Sequence, residues 1–230
     1  MESAKGRAFS TLTPAELLGP LNEVERRYAP RRLYVAGNYS LPLPAPRVAI
    51  VGTRNPSTDG VEVATRVAKA LVRKGVTIVS GLALGIDTVA HTTTINEGGR
   101  TIAVLGTPLD RSYPAQNARL QEAIMQQHCA VSEFPVGFPI MKKNFVIRNR
   151  TMALMSNISI IIEGGEQSGT RHQGWEALRL GRPLFLWHKL LENPTLRWPR
   201  KMLDYGALVL ENEGELFGEL PPPREPVLVA

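Results

Sequence analysis

Four short turns hold most of the residues that could bind or transform a ligand. They are Gly52-Thr53-Arg54-Asn55-Pro56-Ser57, Ser80-Gly81-Leu82-Ala83-Leu84-Gly85-Ile86-Asp87, Gly106-Thr107-Pro108-Leu109-Asp110 and Glu163-Gly164-Gly165-Glu166-Gln167-Ser168-Gly169-Thr170. Glycine lets the backbone come close to a ligand, and the start of a following helix directs free N–H groups at it. The chemistry this suits is the holding of a phosphate. Residues 80–87 are the most informative case, although they lack the Gly-x-Gly-x-x-Gly spacing of a dinucleotide site and the Gly-Lys-Ser/Thr of a P-loop. The same glycines also serve ordinary tight turns. Four such turns, with Arg54 beside the first, favour an anion.

A second group is basic. Lys142, Lys143, Arg148 and Arg150 stand within nine residues that contain no acid, and Phe145 and Asn149 lie among them. An aromatic within a basic stretch can stack a base while the cations hold phosphates. Taken alone, the stretch reads instead as a core aromatic with Arg148 in a buried structural pair. The formal net charge is +6, yet residues 204–230 carry six acids against the single Arg224. A local basic excess suits an anionic partner and equally a solvated face.

Catalytic patterns are sparse. His91, His128, His172 and His188 show no metal-ligand spacing with one another or with Cys129, so neither zinc nor any other metal is expected. His91 lies one helical turn after Asp87 and is read as part of a local polar network. No Gly-x-Ser-x-Gly elbow is present. The single cysteine excludes an internal disulfide and reads as a small buried hydrophobe.

The elements that must position these residues follow from the apolar pattern. Residues 48–51, 76–79, 101–105, 158–162 and 183–186 are nearly continuous apolar runs, as in strands covered on both faces. Residues 59–74, 87–97 and 116–127 have helical spacing. Strand and helix alternate at the cadence of βαβ units, which means a doubly wound α/β sheet whose ligands bind at the carboxyl ends of its strands. Residues 1–46 read as a lead-in, with a helix over 14–28 and an extended proline run at 41–46. Residues 220–230 read as a linker-like tail. No run reaches the ~20 apolar residues of a membrane span, and Met1-Glu2-Ser3-Ala4-Lys5 lacks the apolar segment of a secretory signal. A cytoplasmic protein is expected.

The ordered motifs together resemble the DNA-processing protein A family (DprA, also called Smf). They are residues 47–54 (RVAIVGTR), residues 80–87 (SGLALGID), His91, residues 99–110 (GRTIAVLGTPLD), Tyr113-Pro114, Asn117, Ser132-Glu133-Phe134-Pro135, Arg148-Asn149-Arg150 and Ser168-Gly169-Thr170. The resemblance implies an extended Rossmann-like core over residues 47–219, with a mostly parallel sheet and helices on both faces. The C-terminal winged-helix-like domain common in the family is not expected here. The resemblance further implies a non-catalytic, cofactor-free protein that binds and protects single-stranded DNA in natural transformation. It also implies loading of a RecA-type recombinase and a homodimer. The implied contacts are Gly52, Thr53 and Arg54; Ser80, Gly81, Leu82, Ala83, Gly85 and Asp87; Lys142, Lys143 and a stacking Phe145; Arg148, Asn149 and Arg150; and Ser168, Gly169 and Thr170.

Two departures bear on function. Arg171, His172, Gln173 and Trp175 replace the apolar and small residues usual after the last motif, and residues 193–200, near the family's dimer contact, are altered. Residues 163–170 are also similar to the glycine-rich motif of the "lonely guy" nucleotide phosphoribohydrolases. Those enzymes use a glutamate soon after Gly-Thr. Gln173 stands at that place, and an amide is no general base; Glu176 would have to substitute. A third reading makes the same pocket a sensor of free nucleotides.

Overall fold

Alternation of buried apolar runs with amphipathic segments builds one nine-stranded sheet, flanked by helices on both faces. The computed structural model describes residues 9–223. The expectations about the N-terminal leader and about the tail from residue 224 lie outside the described residues. The strands are β1 (Ser10–Leu12), β2 (Leu33–Gly37), β3 (Arg47–Val51), β4 (Thr77–Ser80), β5 (Thr101–Leu105), β6 (Cys129–Ser132), β7 (Ile158–Ile161), β8 (Leu184–Trp187) and β9 (Leu208–Leu210). The helices are α1 (Pro14–Leu18), α2 (Glu23–Tyr28), α3 (Thr58–Arg73), α4 (Ile86–Asn96), α5 (Ala118–Gln127), α6 (Lys142–Met155), α7 (Thr170–Arg179), α8 (Lys189–Glu192) and α9 (Trp198–Asp204).

The strand order is β1-β2-β6-β5-β4-β3-β7-β8-β9. Strands β3 to β9 are parallel to one another, whereas β2 joins β6 antiparallel, as β1 joins β2. Each of β3 to β8 is buried along its whole length, which is why those runs are apolar rather than alternating. The chain winds from β3 outward to β6, then returns to lay β7, β8 and β9 on the other side of β3. The topological switch point therefore lies between β3 and β7, where a doubly wound sheet opens a crevice.

Helix α3 shows how sequence drives this packing. Ser57 caps it by accepting from the Gly60 N–H at 3.0 Å, and it ends at Lys74 before Gly75. Its Val63, Ala64, Val67, Ala68 and Leu71 are buried against Val48, Ile50 and Ile78. Full burial of a Val or Leu side chain is worth roughly 1.5–3 kcal/mol, so this face accounts for the docking. On the opposite face Met152, Ala153 and Leu154 of α6 pack with Val51, Val79 and Val104.

The N-terminal lead-in requires correction. It contributes β1 and β2 to the sheet, so a boundary at residue 46 falls inside one continuous structure. The helix expected over 14–28 is two short helices, because Gly19 and Pro20 interrupt it. Arg47 ties the lead-in to the core: its Nε donates to the Met155 carbonyl at 2.6 Å and its Nη1 to the Leu43 carbonyl at 2.7 Å. No helix among the described residues is long and apolar enough to cross a membrane.

Candidate functional site

A cavity of about 540 Å³ opens at the switch point between the turns after β3 and β7. Gly52, Thr53 and Arg54 form one wall, Ser168, Gly169 and Thr170 the other, and Ala83 and Asp87 approach from the turn after β4. Phe145, Arg148 and Asn149 of α6 complete it. A second cavity of about 420 Å³ shares Arg54, Ala83, Phe145 and Arg148 with the first and reaches Gly81, Tyr113 and Gln116. The two form one cleft. Arg54 is exposed on the shared rim.

The glycines of the first three turns serve each other before any ligand. A Cβ on Gly52 would overlap the Ile86 side chain, and one on Gly81 would overlap the Arg148 guanidinium. One on Gly106 would sit 2.6 Å from Phe145 Cδ1. Gly85 has φ +78°, and a Cβ there would overlap the Thr53 carbonyl oxygen and lie 2.7 Å from the Arg54 carbonyl carbon. The turns therefore nest, with the Thr53 and Arg54 backbone against Gly85, and Arg54 and Phe145 line both cavities. Only Gly165 and Gly169 of the lining glycines face open space.

The expected phosphate cradle at residues 80–87 is corrected by its hydrogen bonds. Asp87 accepts from the N–H groups of Gly81 and Ala83 at 3.2 and 3.3 Å, so a carboxylate of the same turn already occupies two donors meant for phosphate. Ser80 is fully buried and donates to the Ile50 carbonyl at 2.7 Å. Leu82 is fully buried in a core cluster with Ala103, Leu105 and Ile124. Neither side chain faces the cleft, nor does Gly85, which the first turn covers.

Arg148 grips the same turn from the other side. Its Nη1 donates to the carbonyls of Gly81 and, at 2.9 Å, Val104, and its Nε donates to Asn149 Oδ1 at 3.1 Å. Asp87 thus holds the N–H of Gly81 and Arg148 holds its C=O. Burial pushes the Asp87 carboxyl up, opposed by the Arg148 charge and the Ala83 and Gly81 N–H groups. Burial likewise pushes Arg148 down, opposed by Asp87. His91, fully buried, is held by Thr101 Oγ1 at 2.7 Å rather than by Asp87, and burial pushes it down to about 3. The polar network read from its position is the arrangement found. Cys129 is a buried thiol pushed up to about 12.

The basic stretch divides along α6. Lys142 and Lys143 are exposed on its first turn, outside both cavities, with Lys142 one turn before Phe145. Asn149 lines the larger cavity and donates to the Gly169 carbonyl at 3.2 Å, coupling α6 to the last turn. Arg150, expected at the site, turns away to an ion pair with Glu176 at 3.5 Å. Phe145 is half-buried and packs at 5.2 Å, tilted 47°, against Tyr113. Tyr113 is 45% exposed and was not expected at the site, although the Tyr113-Pro114 motif marked its position.

The last turn is held by its own groups. Thr170 Oγ1 donates to Ser168 Oγ at 2.8 Å, and Glu163 accepts from the Ser57 N–H and hydroxyl, fixing the turn after β3. His172 and Gln173 line the cavity. Glu176 does not; Arg150 and Arg179 hold it outside. The cleft thus offers one exposed cation, two neighbouring aromatic rings and a buried amide, and lacks a carboxylate free to act as a base.

Comparison with known proteins agrees with this architecture. The family model described as DNA recombination-mediator protein A matches residues 14–221. DNA processing protein DprA of Bacillus subtilis is 35% identical over 192 residues, covering 84% of this chain and 65% of that protein. The Streptococcus pneumoniae protein of the same name is 41% identical over 157 residues, covering 68% and 55%. Its X-ray structure superposes with a TM-score of 0.78 at 30% identity, covering 93% of this chain and 75% of that one. A Helicobacter pylori DprA structure, described by its single-stranded DNA binding mode, gives 0.74 at 27% identity, covering 91% and 94%. The chain spans between 40% and 65% of the length of the curated relatives it matches.

Proposed function

The chain belongs to the DNA recombination-mediator protein A family, and on that premise we propose that it binds single-stranded DNA along the joined cavities at its switch point. The observation that carries this reading is the placement of Phe145. Its ring stands between the two cavities, half-buried beside the exposed Tyr113, with Arg54 on the same rim. A ring so placed stacks a base that is free of its neighbours, while Arg54, Lys142 and Lys143 meet the backbone. Bases in a duplex are already stacked and paired, so single strands gain most. Fluorescence anisotropy with oligo-dT, a duplex of equal length and dTMP tests this: oligo-dT binds at least tenfold more tightly than either. Equal binding of duplex and strand would reject the reading, and a preference for dTMP would favour a nucleotide sensor.

The protein works in this reading as a cytoplasmic, non-catalytic homodimer that protects single strands and delivers them to a RecA-type recombinase. The name of the family supports the recombination role. The phosphoribohydrolase alternative loses support because Gln173 replaces the required glutamate and Glu176 is ion-paired outside the cavity. Release of adenine from AMP would restore it.

Phe145→Ala is expected to weaken oligo-dT binding by about 1–3 kcal/mol, the worth of one stacked base. Phe145→Leu keeps apolar volume against Gly106 but lacks a π-face, so it should recover the melting temperature and not the affinity. A Leu variant that restores both would make Phe145 a packing residue. Arg54→Ala should leave stability unchanged and lower the log–log salt slope by roughly one unit or less, the share of one phosphate contact. An unaltered slope would remove Arg54 from the interface.

A further inference from the structure

We propose that Gln173 reads the base that enters the larger cavity and favours one bearing an amino group over thymine. This rests on the single-strand reading above. Gln173 is 1% exposed, lies on the first turn of α7 and lines the cavity. Its Nε2 donates to Ser159 Oγ at 3.1 Å, which leaves Oε1 buried with no partner. Of the buried polar side chains around the cavity, Asp87 is engaged with Gly81 and Ala83, Arg148 with two carbonyls, Asn149 with Arg148 and Gly169, and Thr170 with Ser168. A buried acceptor without a donor is costly, and a ligand that supplies one is favoured accordingly. The cavity that Gln173 lines, about 540 Å³, is large enough for a base.

The chemistry of the strand narrows the donor. In single-stranded DNA every internal deoxyribose oxygen is esterified or lies in the ring, and the phosphates are acceptors only. The N–H groups of the bases are the donors that remain. Cytosine offers its 4-amino group at an outer corner of the ring. Thymine carries a carbonyl oxygen at that corner, which would face Oε1 as acceptor against acceptor; its one N–H lies between two carbonyls. With the backbone at the Arg54 rim, the base points inward and its far edge meets Gln173. The phosphoribohydrolase-type glutamate would bear a charge here; the amide does not, and reads instead.

Anisotropy at pH 8 with oligo-dC, oligo-dT and oligo-dU of equal length isolates the effect, because all three pyrimidines stack weakly and dU removes the 5-methyl group by which thymine also differs from cytosine. The wild-type protein should bind oligo-dC roughly three- to tenfold more tightly than either of the others, the range of one neutral hydrogen bond. Gln173→Leu, similar in volume, should bring the three affinities within twofold. An oligonucleotide with 2-pyrimidinone in place of cytosine lacks the amino group and should lose the preference on the unmodified protein, so the test does not depend on the variant folding. Equal affinities, a thymine preference, or a cytosine preference that survives 2-pyrimidinone overturns the assignment to Gln173 while tight strand binding stands. Failure of the wild type to bind either strand overturns both this inference and the function on which it rests.

Discussion

Gly85→Val is expected to be the most disruptive single change at the cleft, destabilising the protein and abolishing strand binding together. Two effects add. At φ +78° and ψ −129° Gly85 lies outside the regions open to side-chain-bearing residues, and a β-branched residue there costs about 1–3 kcal/mol. Its Cβ also overlaps the Thr53 carbonyl, which accepts the Ile86 N–H at 3.2 Å, so the turn after β3 must separate from the start of α4. Overpacking of this kind costs about 1–3 kcal/mol more. Separation moves Arg54 away from Phe145 and divides the cleft. Gly98→Val is the control, for Gly98 has φ +69° with nothing within 4 Å of a Cβ. Chemical denaturation of both variants compares a positive-φ glycine whose Cβ would meet backbone with one whose Cβ would meet nothing, and oligo-dT titration reports the cleft. Were the two equally stable, with Gly85→Val binding normally, the nested turns would not be what positions Arg54.

Arg148→Met should destabilise the protein by about 3–5 kcal/mol, the usual result of leaving a buried charge without its counterpart. The substitution strips donors from the Gly81 and Val104 carbonyls and leaves Asp87 buried opposite a thioether. Asp87→Asn combined with it should cost less than the two single changes summed, because the charge that lacked a partner is gone. The distinction from a phosphate contact lies in salt. A structural Arg148 predicts that, at a temperature where the variant is folded, the salt slope of oligo-dT binding keeps the wild-type value. A slope reduced by about one unit, with stability unchanged, would return Arg148 to the DNA-binding surface.

The open end of α6 and its buried half illustrate how unevenly the candidate site could be read. Lys142, Lys143 and Phe145 lie on exposed or half-exposed turns, and their chemistry is plain from type alone. Arg148, Asn149 and Arg150 follow within one turn and face three different partners: Gly81 and Val104, Gly169, and Glu176. A helix turns 100° per residue, so neighbours in a motif cannot share a face. The motif was legible; the division of labour inside it was not.

The sequence by itself determined the parallel sheet, five of its buried strands and the edge at which turns would gather, because a strand covered on both faces must be apolar throughout and each glycine turn must follow one; the order of the strands came from the structure. The sequence missed β6 and β9, which are only four and three residues long, and it left the lead-in outside a sheet that β1 and β2 extend. What only the tertiary structure decided was which polar groups remain available. The Ser80–Asp87 turn has the composition of a phosphate cradle, yet its N–H groups are taken by a carboxylate six residues on and its carbonyl by a guanidinium sixty-seven residues away. Hydrogen-bond satisfaction is a property of the folded neighbourhood rather than of spacing along the chain. For that reason the cation at Arg54 and the ring at Phe145 emerge as accessible groups of the cleft, and the unpartnered amide oxygen of Gln173 as a buried one, only once the turns are nested.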